Sequence, residues 1–221
     1  MTTSLRSEFR ESILCKVSVF VTTSTHSING LQIQDSFIVD EEAAGREEPF
    51  EAFTMTYFSE RSGSGFTGQF GVNRFTKSDG LMRHVHLSVD GKRFVRERIL
   101  ILESAILLDV GGEQIVIMPN TLCDIGPGVP HMWRGLPAGM LLPNGTRHSS
   151  ESVMVFFYQE EVQGFERVGG PEILDVPAEV SSHAGDMPFP SVTESDVLDM
   201  PFIRDGKLQY REFGMEQAIA Q

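Results

Sequence analysis

Short segments of alternating apolar and polar residues run along most of the chain. Residues 13 to 23 are rich in β-branched side chains and place Val17, Val19 and Val21 two positions apart. Nothing nearby sustains a 3.6-residue period, so this pattern predicts a strand. Further strand-like segments are found at residues 30–39, 53–58, 66–75, 82–89, 93–102, 106–110, 114–118, 122–125 and 153–158.

Turn-forming residues separate these segments at close intervals. Asn29-Gly30, Asp79-Gly80, Asp90-Gly91 and Gly111-Gly112 are dipeptides that favour tight turns between strands. Many short strands with closely spaced turns are typical of an antiparallel barrel or sandwich and not of a parallel sheet. The pattern therefore predicts an all-β fold.

Two regions lack this pattern of short strands and turns. Residues 40–51 are acidic and rich in Ala, which favours a solvated connector or a short helix. Residues 169–201 are rich in Pro, Ser, Gly and acidic side chains, as in an extended arm, and residues 202–221 can add a hairpin or a short terminal helix. We predict N-terminal strands and the acidic connector packing on the barrel over 1–65, a barrel core over 66–168 and a C-terminal arm over 169–221.

Composition narrows the possible partners. The 221 residues carry a formal net charge of -13, which repels phosphate backbones and anionic lipid surfaces. The longest nearly apolar stretch, residues 99–110, contains Glu103 and falls short of the roughly 20 residues that span a bilayer. No secretory signal is visible, so we predict a cytoplasmic protein without nucleic-acid or membrane partners, with Cys15 and Cys123 as buried free thiols.

Two histidines stand at strand spacing before a predicted hairpin. In His84-Val85-His86 both imidazoles lie on one face of a strand, because residues two apart point the same way. Asp90-Gly91 predicts a two-residue turn, which places His86 opposite Val95 and His84 opposite Glu97. Directly opposed residues share a face, so Glu97 is expected beside His84.

Two imidazoles and a carboxylate are suitable ligands for a divalent first-row metal. The same groups can also serve as acid and base without metal, or simply be half-exposed strand histidines. The remaining histidines, His26, His148 and His183, lie in polar segments and are expected to be solvated. Arg96 and Arg98 fall on the face opposite Glu97, where we expect them to pair with surface acids.

Residues 84 to 131 resemble the two signature motifs of the cupin superfamily, which are small antiparallel β-barrels. The first motif contains the HxH pattern followed by Glu, and the second contains PxGxxH. Here Pro127-Gly128-Val129-Pro130-His131 matches the core of the second motif, with Met132-Trp133 in the hydrophobic strand that follows. The resemblance implies an antiparallel, jelly-roll type cupin barrel with an N-terminal strand elaboration and a loop-rich C-terminal arm. It also implies four metal ligands, His84, His86, Glu97 and His131.

The chain departs from the family pattern at several positions. Ten residues separate His86 from Glu97, where the family has three or four, and Asp90 stands at the shorter spacing. We favour Glu97 as the ligand, because Asp90 is needed at the turn. Ser104 replaces the Gly that closes the first motif, and Gly135 replaces the final Asn of the second.

The resemblance further implies a small-molecule enzyme with one divalent metal ion (Fe, Mn, Ni, Cu or Zn) and no organic cofactor. Oxygenation, isomerisation, decarboxylation and cyclisation of an apolar, aromatic or polyketide-like oxygenated substrate are the expected reactions, as in the auxiliary cupins of secondary-metabolite pathways. The catalytic residues would be His84, His86 and His131, and cupins often form homodimers.

Aromatic and Met side chains near the motifs are candidates for a substrate pocket. Trp133 follows His131 on the same strand face, and Met154, Phe156 and Tyr158 alternate along a late strand. The same side chains can equally fill the barrel core. Two further functions stay open: a metal-free isomerase, cyclase or dehydratase that uses the same histidines, and a ligand-binding barrel without catalysis.

Overall fold

The computed structural model describes residues 17–21, 27–33, 36–38, 44–50, 53–60, 68–75, 80–149, 151–204 and 206–211. Cys15, His26 and the first residues of the strand predicted from residue 13 lie outside these ranges. Within them, no helix is long and apolar enough to cross a membrane.

Strands dominate the described residues, as the alternating pattern predicts. In chain order they are β1 (Val17–Val21), β2 (Ser27–Ile33), β3 (Ser36–Ile38), β4 (Gly45–Phe50), β5 (Phe53–Glu60), β6 (Gln69–Phe75), β7 (His84–Ser88), β8 (Glu97–Glu103), β9 (Ile106–Val110), β10 (Glu113–Ile117), β11 (Leu122–Ile125), β12 (His131–Arg134), β13 (Ser152–Tyr158), β14 (Val162–Arg167), β15 (Phe202–Arg204) and β16 (Lys207–Gln209). The two short α-helices are α1 (Val180–His183) and α2 (Glu194–Asp199).

Two large sheets enclose the core. One has the strand order β11-β8-β13-β6-β5-β4, the other has the order β14-β7-β12-β9-β10-β15-β16, and β1 to β3 form a small third sheet. Every described strand pair is antiparallel except β10 with β15. The predicted all-β fold of antiparallel strands, with further strands at the N-terminal side, is therefore confirmed.

Alternate side chains of both large sheets point into one shared interior. Its buried apolar members are Met55, Tyr57, Phe75, Leu81, Val95, Ile99, Ile101, Ile106, Leu108, Ile117, Ile125, Trp133, Met154, Phe156 and Tyr158. The alternation follows from the pleat of each strand, which sends neighbouring side chains to opposite faces. This interior reaches the candidate metal ligands described below.

The C-terminal arm covers the outer face of the seven-stranded sheet. Leu107, Val116 and Met132 point outward from this sheet and pack against Phe189, Val197 and Phe202. The predicted loop-rich arm is thus confirmed, and it includes α1, α2 and the hairpin of β15 and β16. This apolar cover explains why strands of the seven-stranded sheet can be buried on both faces.

Arg83, which forms a buried ion pair with Asp109 of this sheet, also links the sheet to the arm. Arg83 Nη2 lies 3.2 Å from Asp109 Oδ1, and both side chains are almost fully buried. Arg83 Nη1 donates to the carbonyl oxygen of Gly169, and the backbone N–H of Arg83 donates to Met187 O. Because a buried charge is costly when unpaired, these contacts keep the start of β7 attached to the arm.

Two predictions from local sequence are wrong. Residues 45–50 form the edge strand β4 instead of a connector or short helix, and an edge position tolerates the charges and the proline of this segment. His148 is buried and not solvated, since only 4% of it is exposed. Its Nε2 lies 3.0 Å from both Ala105 O, which is distant in the chain, and Ser152 Oγ, which is four residues away.

Burial lowers the pKa of His148 in the folded protein, which makes stability depend on pH. Below a pH of about 6.5 the unfolded chain binds a proton that folded His148 resists, so stability falls as the pH drops. Between about pH 7.5 and pH 5.5 the wild type should lose free energy of unfolding, and His148→Gln should lose less. The difference between the two losses should reach up to about 1 kcal/mol. Chemical denaturation at the two pH values measures this difference.

Ser152→Ala is the matched control for His148→Gln. It removes the hydroxyl beside His148 Nε2 but keeps the imidazole, so it lowers stability at both pH values and preserves the wild-type pH dependence. An unchanged pH dependence in His148→Gln would contradict the prediction.

Gly128 is the point at which the loop before β12 meets the arm. Its φ is +73°, and a Cβ placed there would lie 2.1 Å from the backbone oxygen of Leu174. The backbone N–H of Leu174 donates to Gly128 O at 3.0 Å, so this close approach holds the arm against the loop. Only glycine combines this backbone conformation with this contact.

We expect Gly128→Ala to destabilise the fold by more than Gly111→Ala. Gly111 also has a positive φ of +58°, but a Cβ there would meet nothing within 4 Å, so this variant measures the conformational strain alone. The strain costs about 1 kcal/mol, and the collision with Leu174 should add at least as much. If chemical denaturation shows that both variants lose the same free energy of unfolding, the contact with Leu174 does not contribute to stability.

Candidate metal centre

Strand β7 carries the first two candidate ligands into the barrel. All five of its residues are buried, because β14 and β12 flank it in the sheet and the arm packs on its outer face. Val85 and Leu87 pack on that outer side, whereas His84 and His86 point inward with ring centroids 4.9 Å apart. The HxH spacing therefore places both imidazoles on one face, as predicted.

The turn after β7 keeps the predicted register but has a longer loop. His86 O accepts from the backbone N–H of Val95, and the backbone N–H of Ser88 donates to Arg93 O, both at 2.9 Å. Because Ser88 and Arg93 form the closing pair, residues 89–92 form the loop, instead of Asp90-Gly91 alone. The Asp90 carboxylate accepts from Ser88 Oγ at 2.7 Å and stays at the exposed turn, outside the ligand cluster.

Glu97 reaches the site from the facing sheet and not from the hairpin. At this residue β8 begins, and it pairs with β11 and β13, with Glu97 opposite Ile125 and Tyr158. The hairpin register thus ends before Glu97, and the predicted opposition of Glu97 to His84 is wrong. The nearest imidazole nitrogens to Glu97 Oε2 are His131 Nε2 at 2.8 Å and His86 Nε2 at 3.4 Å.

His131 begins β12, directly after the Pro-Gly turn of the second motif. It pairs with His84 on one side and with Val110 on the other. Backbone carbonyls fix two of the rings: His131 Nδ1 lies 3.0 Å from Val129 O, and His84 Nδ1 lies 2.7 Å from Met82 O. Because each Nδ1–H can donate to its carbonyl, the Nε2 lone pair of both rings is left for a ligand.

The four candidate ligands converge on one point. One donor atom from each of His84, His86, Glu97 and His131 lies within 4.8 Å of the other three. Each residue is 1–3% exposed. Within the part of the chain that the structure describes, His86 Nε2, His131 Nε2 and Glu97 Oε2 have no hydrogen-bond partner, although the last two lie 2.8 Å apart.

Buried polar atoms without partners are costly, and a cation bound among them would satisfy all of them. Three imidazole nitrogens and one carboxylate oxygen form a donor set typical of divalent first-row metals. The residues present therefore fit a metal ion.

The charges in the cluster also suit a cation. Burial lowers the pKa of His84 well below its ordinary value, and the neighbouring imidazoles lower it further, so this ring is neutral at neutral pH. Burial alone would raise the pKa of Glu97, but the facing His86 and His131 outweigh this effect and the pKa falls. The site therefore offers a neutral nitrogen ligand together with a negatively charged oxygen ligand.

Aromatic rings surround two of the imidazoles. The Phe165 ring lies 4.6 Å from His84, and the Tyr158 ring lies 4.6 Å from His86, measured between centroids. Sequence reasoning identified Tyr158 but missed Phe165. The segment of β14 mixes Gln, Gly, Glu and Arg, so its only signal is two apolar residues, Val162 and Phe165, three positions apart.

A phenol and a thiol also lie close enough to Glu97 to interact with its charge. Burial raises the pKa of Tyr158 well above its ordinary value, and the Glu97 charge adds to this effect. Burial also raises the pKa of the Cys123 thiol to about 12, again assisted by Glu97. Both groups therefore stay protonated at neutral pH. Cys123 is a free thiol, as predicted, but it is half-buried and not fully buried.

The other predicted residues fall into three groups. Trp133, Met154, Phe156 and Tyr158 are all buried in the shared barrel interior. Arg96 and Arg98 both pair with Asp124 on the surface, which confirms the expectation for these two side chains. His183 is half-buried on α1, with Nδ1 2.9 Å from Glu179 O, and it takes no part in the cluster.

Comparisons with known proteins return structures of cupin type. No family model matches the chain, and no curated protein matches it either. Among the similar solved structures, the polyketide cyclase RemF from Streptomyces resistomycificus is 14% identical, with a TM-score of 0.43 over 66% of this chain and 92% of that one. The cupin domain of Cnp3 from Schizosaccharomyces pombe is 7% identical, with a TM-score of 0.41 over 66% and 86% of the two chains.

A third similar structure is a sugar phosphate isomerase from a cupin superfamily, from Silicibacter pomeroyi. It is 11% identical, with a TM-score of 0.40 over 55% of this chain and 74% of that one. The two-sheet barrel is observed directly in this structure, and so is the position of both motifs at its interior. By fold and by motif, the chain resembles the cupin superfamily.

Proposed function

We propose that this protein is a metal-dependent small-molecule enzyme of cupin type. His84, His86, Glu97 and His131 would hold one divalent ion of iron, manganese, nickel, copper or zinc. The observation that carries the proposal is the convergence of four buried donor atoms within 4.8 Å, three of them without a hydrogen-bond partner among the described residues.

A bound divalent ion would supply Lewis-acid chemistry at a substrate oxygen, or redox chemistry if it is iron, manganese or copper. The chain itself supplies the surroundings in which such chemistry is effective. Its two sheets exclude water from the ligands, which strengthens electrostatic interactions at this end of the barrel. The Tyr158 hydroxyl stays protonated beside Glu97, so it would serve a substrate oxygen as a hydrogen-bond donor and not as an acid.

The interior favours an apolar or aromatic substrate that carries oxygen. Phe156, Met154 and Trp133 follow the ligands into the barrel, and Phe165 and Tyr158 surround the histidines. Such walls bind flat apolar surfaces, while the metal side of the pocket binds oxygen. Oxygenation, isomerisation, decarboxylation and cyclisation of a polyketide-like molecule all meet this requirement. The expected homodimer and cytoplasmic location stay predictions from the sequence.

Metal content is the first test of this proposal. We expect about one equivalent of a transition metal per chain in the purified protein, and its loss in His131→Ala and in Glu97→Gln, because each substitution removes one donor. Elemental analysis by mass spectrometry measures the content. Asp90→Asn is the matched control, since this carboxylate lies at the exposed turn and its variant should keep the metal.

A protein that holds no metal and takes up none on reconstitution would overturn the proposal. Acid–base catalysis by the same histidines and ligand binding without catalysis would then be the functions to test. Circular dichroism of both ligand variants separates loss of a donor from loss of the fold.

The free energy of unfolding should also depend on bound metal. A metal at 100 times its dissociation constant stabilises the folded state by about 2.7 kcal/mol. Glu97→Leu removes one of the four donors, so added metal should not stabilise this variant. Thermal unfolding with and without added metal should show stabilisation of the wild type alone; equal stabilisation of Glu97→Leu would place the metal elsewhere.

A further inference from the structure

The three histidine rings of the candidate metal centre are not held in the same way. His84 Nδ1 lies 2.7 Å from Met82 O, and His131 Nδ1 lies 3.0 Å from Val129 O. Each of these rings thus bonds to the carbonyl group two residues before it. His86 has no such bond: among the described residues neither of its ring nitrogens has a hydrogen-bond partner, although His86 is only 2% exposed.

The difference follows from where each histidine lies in its strand. His84 is the first residue of β7, and His131 is the first residue of β12. The residues two positions earlier, Met82 and Val129, lie outside the strands, so their carbonyl groups can turn toward the rings. His86 lies in the middle of β7, and the residue two positions before it is His84, which is paired with a neighbouring strand on each side. Carbonyl groups in such a ladder point along the sheet toward the neighbouring strands, so they do not reach a ring on the face of the sheet.

A carbonyl bond at Nδ1 decides which nitrogen carries the proton of a neutral imidazole. In His84 and His131 this bond places the proton on Nδ1 and leaves the lone pair of Nε2 for a metal ion. In His86 the contact that favours a proton is the one between Nε2 and Glu97 Oε2, at 3.4 Å. A metal ion that binds His86 through Nε2 therefore has to shift this proton to Nδ1, where no described group accepts it.

Aromatic rings surround His86 where the other two histidines have a carbonyl group. The His86 ring centroid lies 4.6 Å from that of Tyr158 and 5.5 Å from that of Phe165. Such contacts hold a ring by packing but offer an N–H donor only a weak acceptor. Packing alone therefore leaves the tautomer of His86 undetermined.

We infer that His86 is the exchangeable ligand of the proposed metal centre, whereas His84 and His131 are permanent ligands. An external oxygen donor replaces His86 and binds on the side of the site where the rings of Tyr158 and Phe165 lie. The inference rests on the proposed function, because it assigns unequal roles to the ligands of the same centre.

The zinc affinity of single-histidine variants tests whether the ligands are unequal. Groups that orient a ligand histidine typically contribute about 10- to 100-fold to metal affinity. We therefore expect His84→Ala and His131→Ala to lose roughly tenfold more zinc affinity than His86→Ala, measured by competition with a chelator of known affinity. Circular dichroism and chemical denaturation of the zinc-free variants show whether each one is folded.

The wild type tests the inference without any substitution of a ligand. In zinc-free protein with isotope-labelled histidine, in mildly alkaline buffer, nitrogen NMR should show the ring proton on Nδ1 in His84 and His131 and on Nε2 in His86. Addition of zinc should move the His86 proton to Nδ1 and leave the other two tautomers unchanged. Acetohydroxamic acid, an oxygen-donor probe, should then return the signals of His86 alone to their zinc-free positions, while elemental analysis shows that the zinc is retained.

Four outcomes would overturn the inference. They are equal losses of zinc affinity in the three variants, a His86 proton on Nδ1 before zinc is added, a hydroxamate that releases no histidine, and a hydroxamate that releases His84 or His131. Equal losses would mean that another group holds His86 as firmly as the carbonyl groups hold the other two rings. In each of these cases bound zinc leaves the proposed metal centre standing while the exchange fails. A wild type that binds neither zinc nor another transition metal would overturn the proposed function and the exchange together.

Discussion

The barrel has to keep three imidazoles and one carboxylate out of water, and much of the structure serves this requirement. A buried carboxylate is tolerated only beside groups that stabilise its charge, and His86 and His131 face Glu97 at 3.4 and 2.8 Å. Backbone carbonyls orient His84 and His131, so neither ring can turn to satisfy the carboxylate fully. The remaining unpaired atoms are the strongest sign that a cation belongs there, because a purely structural core would replace all four side chains with apolar ones.

This requirement extends to the outer layer of the protein. Strand β7 can present two histidines inward only if its other face is also protected, and Val85 and Leu87 achieve this by packing against Leu174, Val180 and Val168. The arm that carries the first two of these residues is held by Gly128 on one side and by the hydrogen bonds that Arg83 donates to Gly169 O and Met187 O on the other. Arg83 precedes His84 directly, and Gly128 stands three residues before His131. Both anchors of the arm therefore adjoin loops or strands that position candidate ligands.

Local patterns predicted the parts of the site that local geometry determines. The HxH spacing fixed the orientation of His84 and His86, and the turn after β7 fixed the register of His86 with Val95. The contribution of Glu97 could be foreseen only from the resemblance to a family, since the hairpin register ends where β8 joins the other sheet. A change of sheet depends on contacts with β11 and β13, and these strands are far from Glu97 in the chain.

The failures have the same physical origin. His148 stands in a polar segment, Arg147-His148-Ser149, and its burial depends on Ala105 and Ser152. The acidic segment of β4 becomes a strand because β5 offers an open edge. Phe165 reaches His84 from a strand with almost no apolar pattern, because β14 packs only one side against the barrel. Patterns along the chain report local periodicity, whereas the contacts of His148 with Ala105 and of Phe165 with His84 join residues that lie far apart in the chain.

The position of β14 determines when the candidate ligands become buried during synthesis of the chain. Although the candidate ligands span only residues 84 to 131, β7 lies between β12 and β14, and the arm residues that cover it extend to Val180. During synthesis the histidines of β7 therefore emerge long before the strand and arm that shield them. The candidate ligands of β7 are therefore fully shielded only after the chain up to Val180 has been made, so the site is assembled later than its own side chains are synthesised.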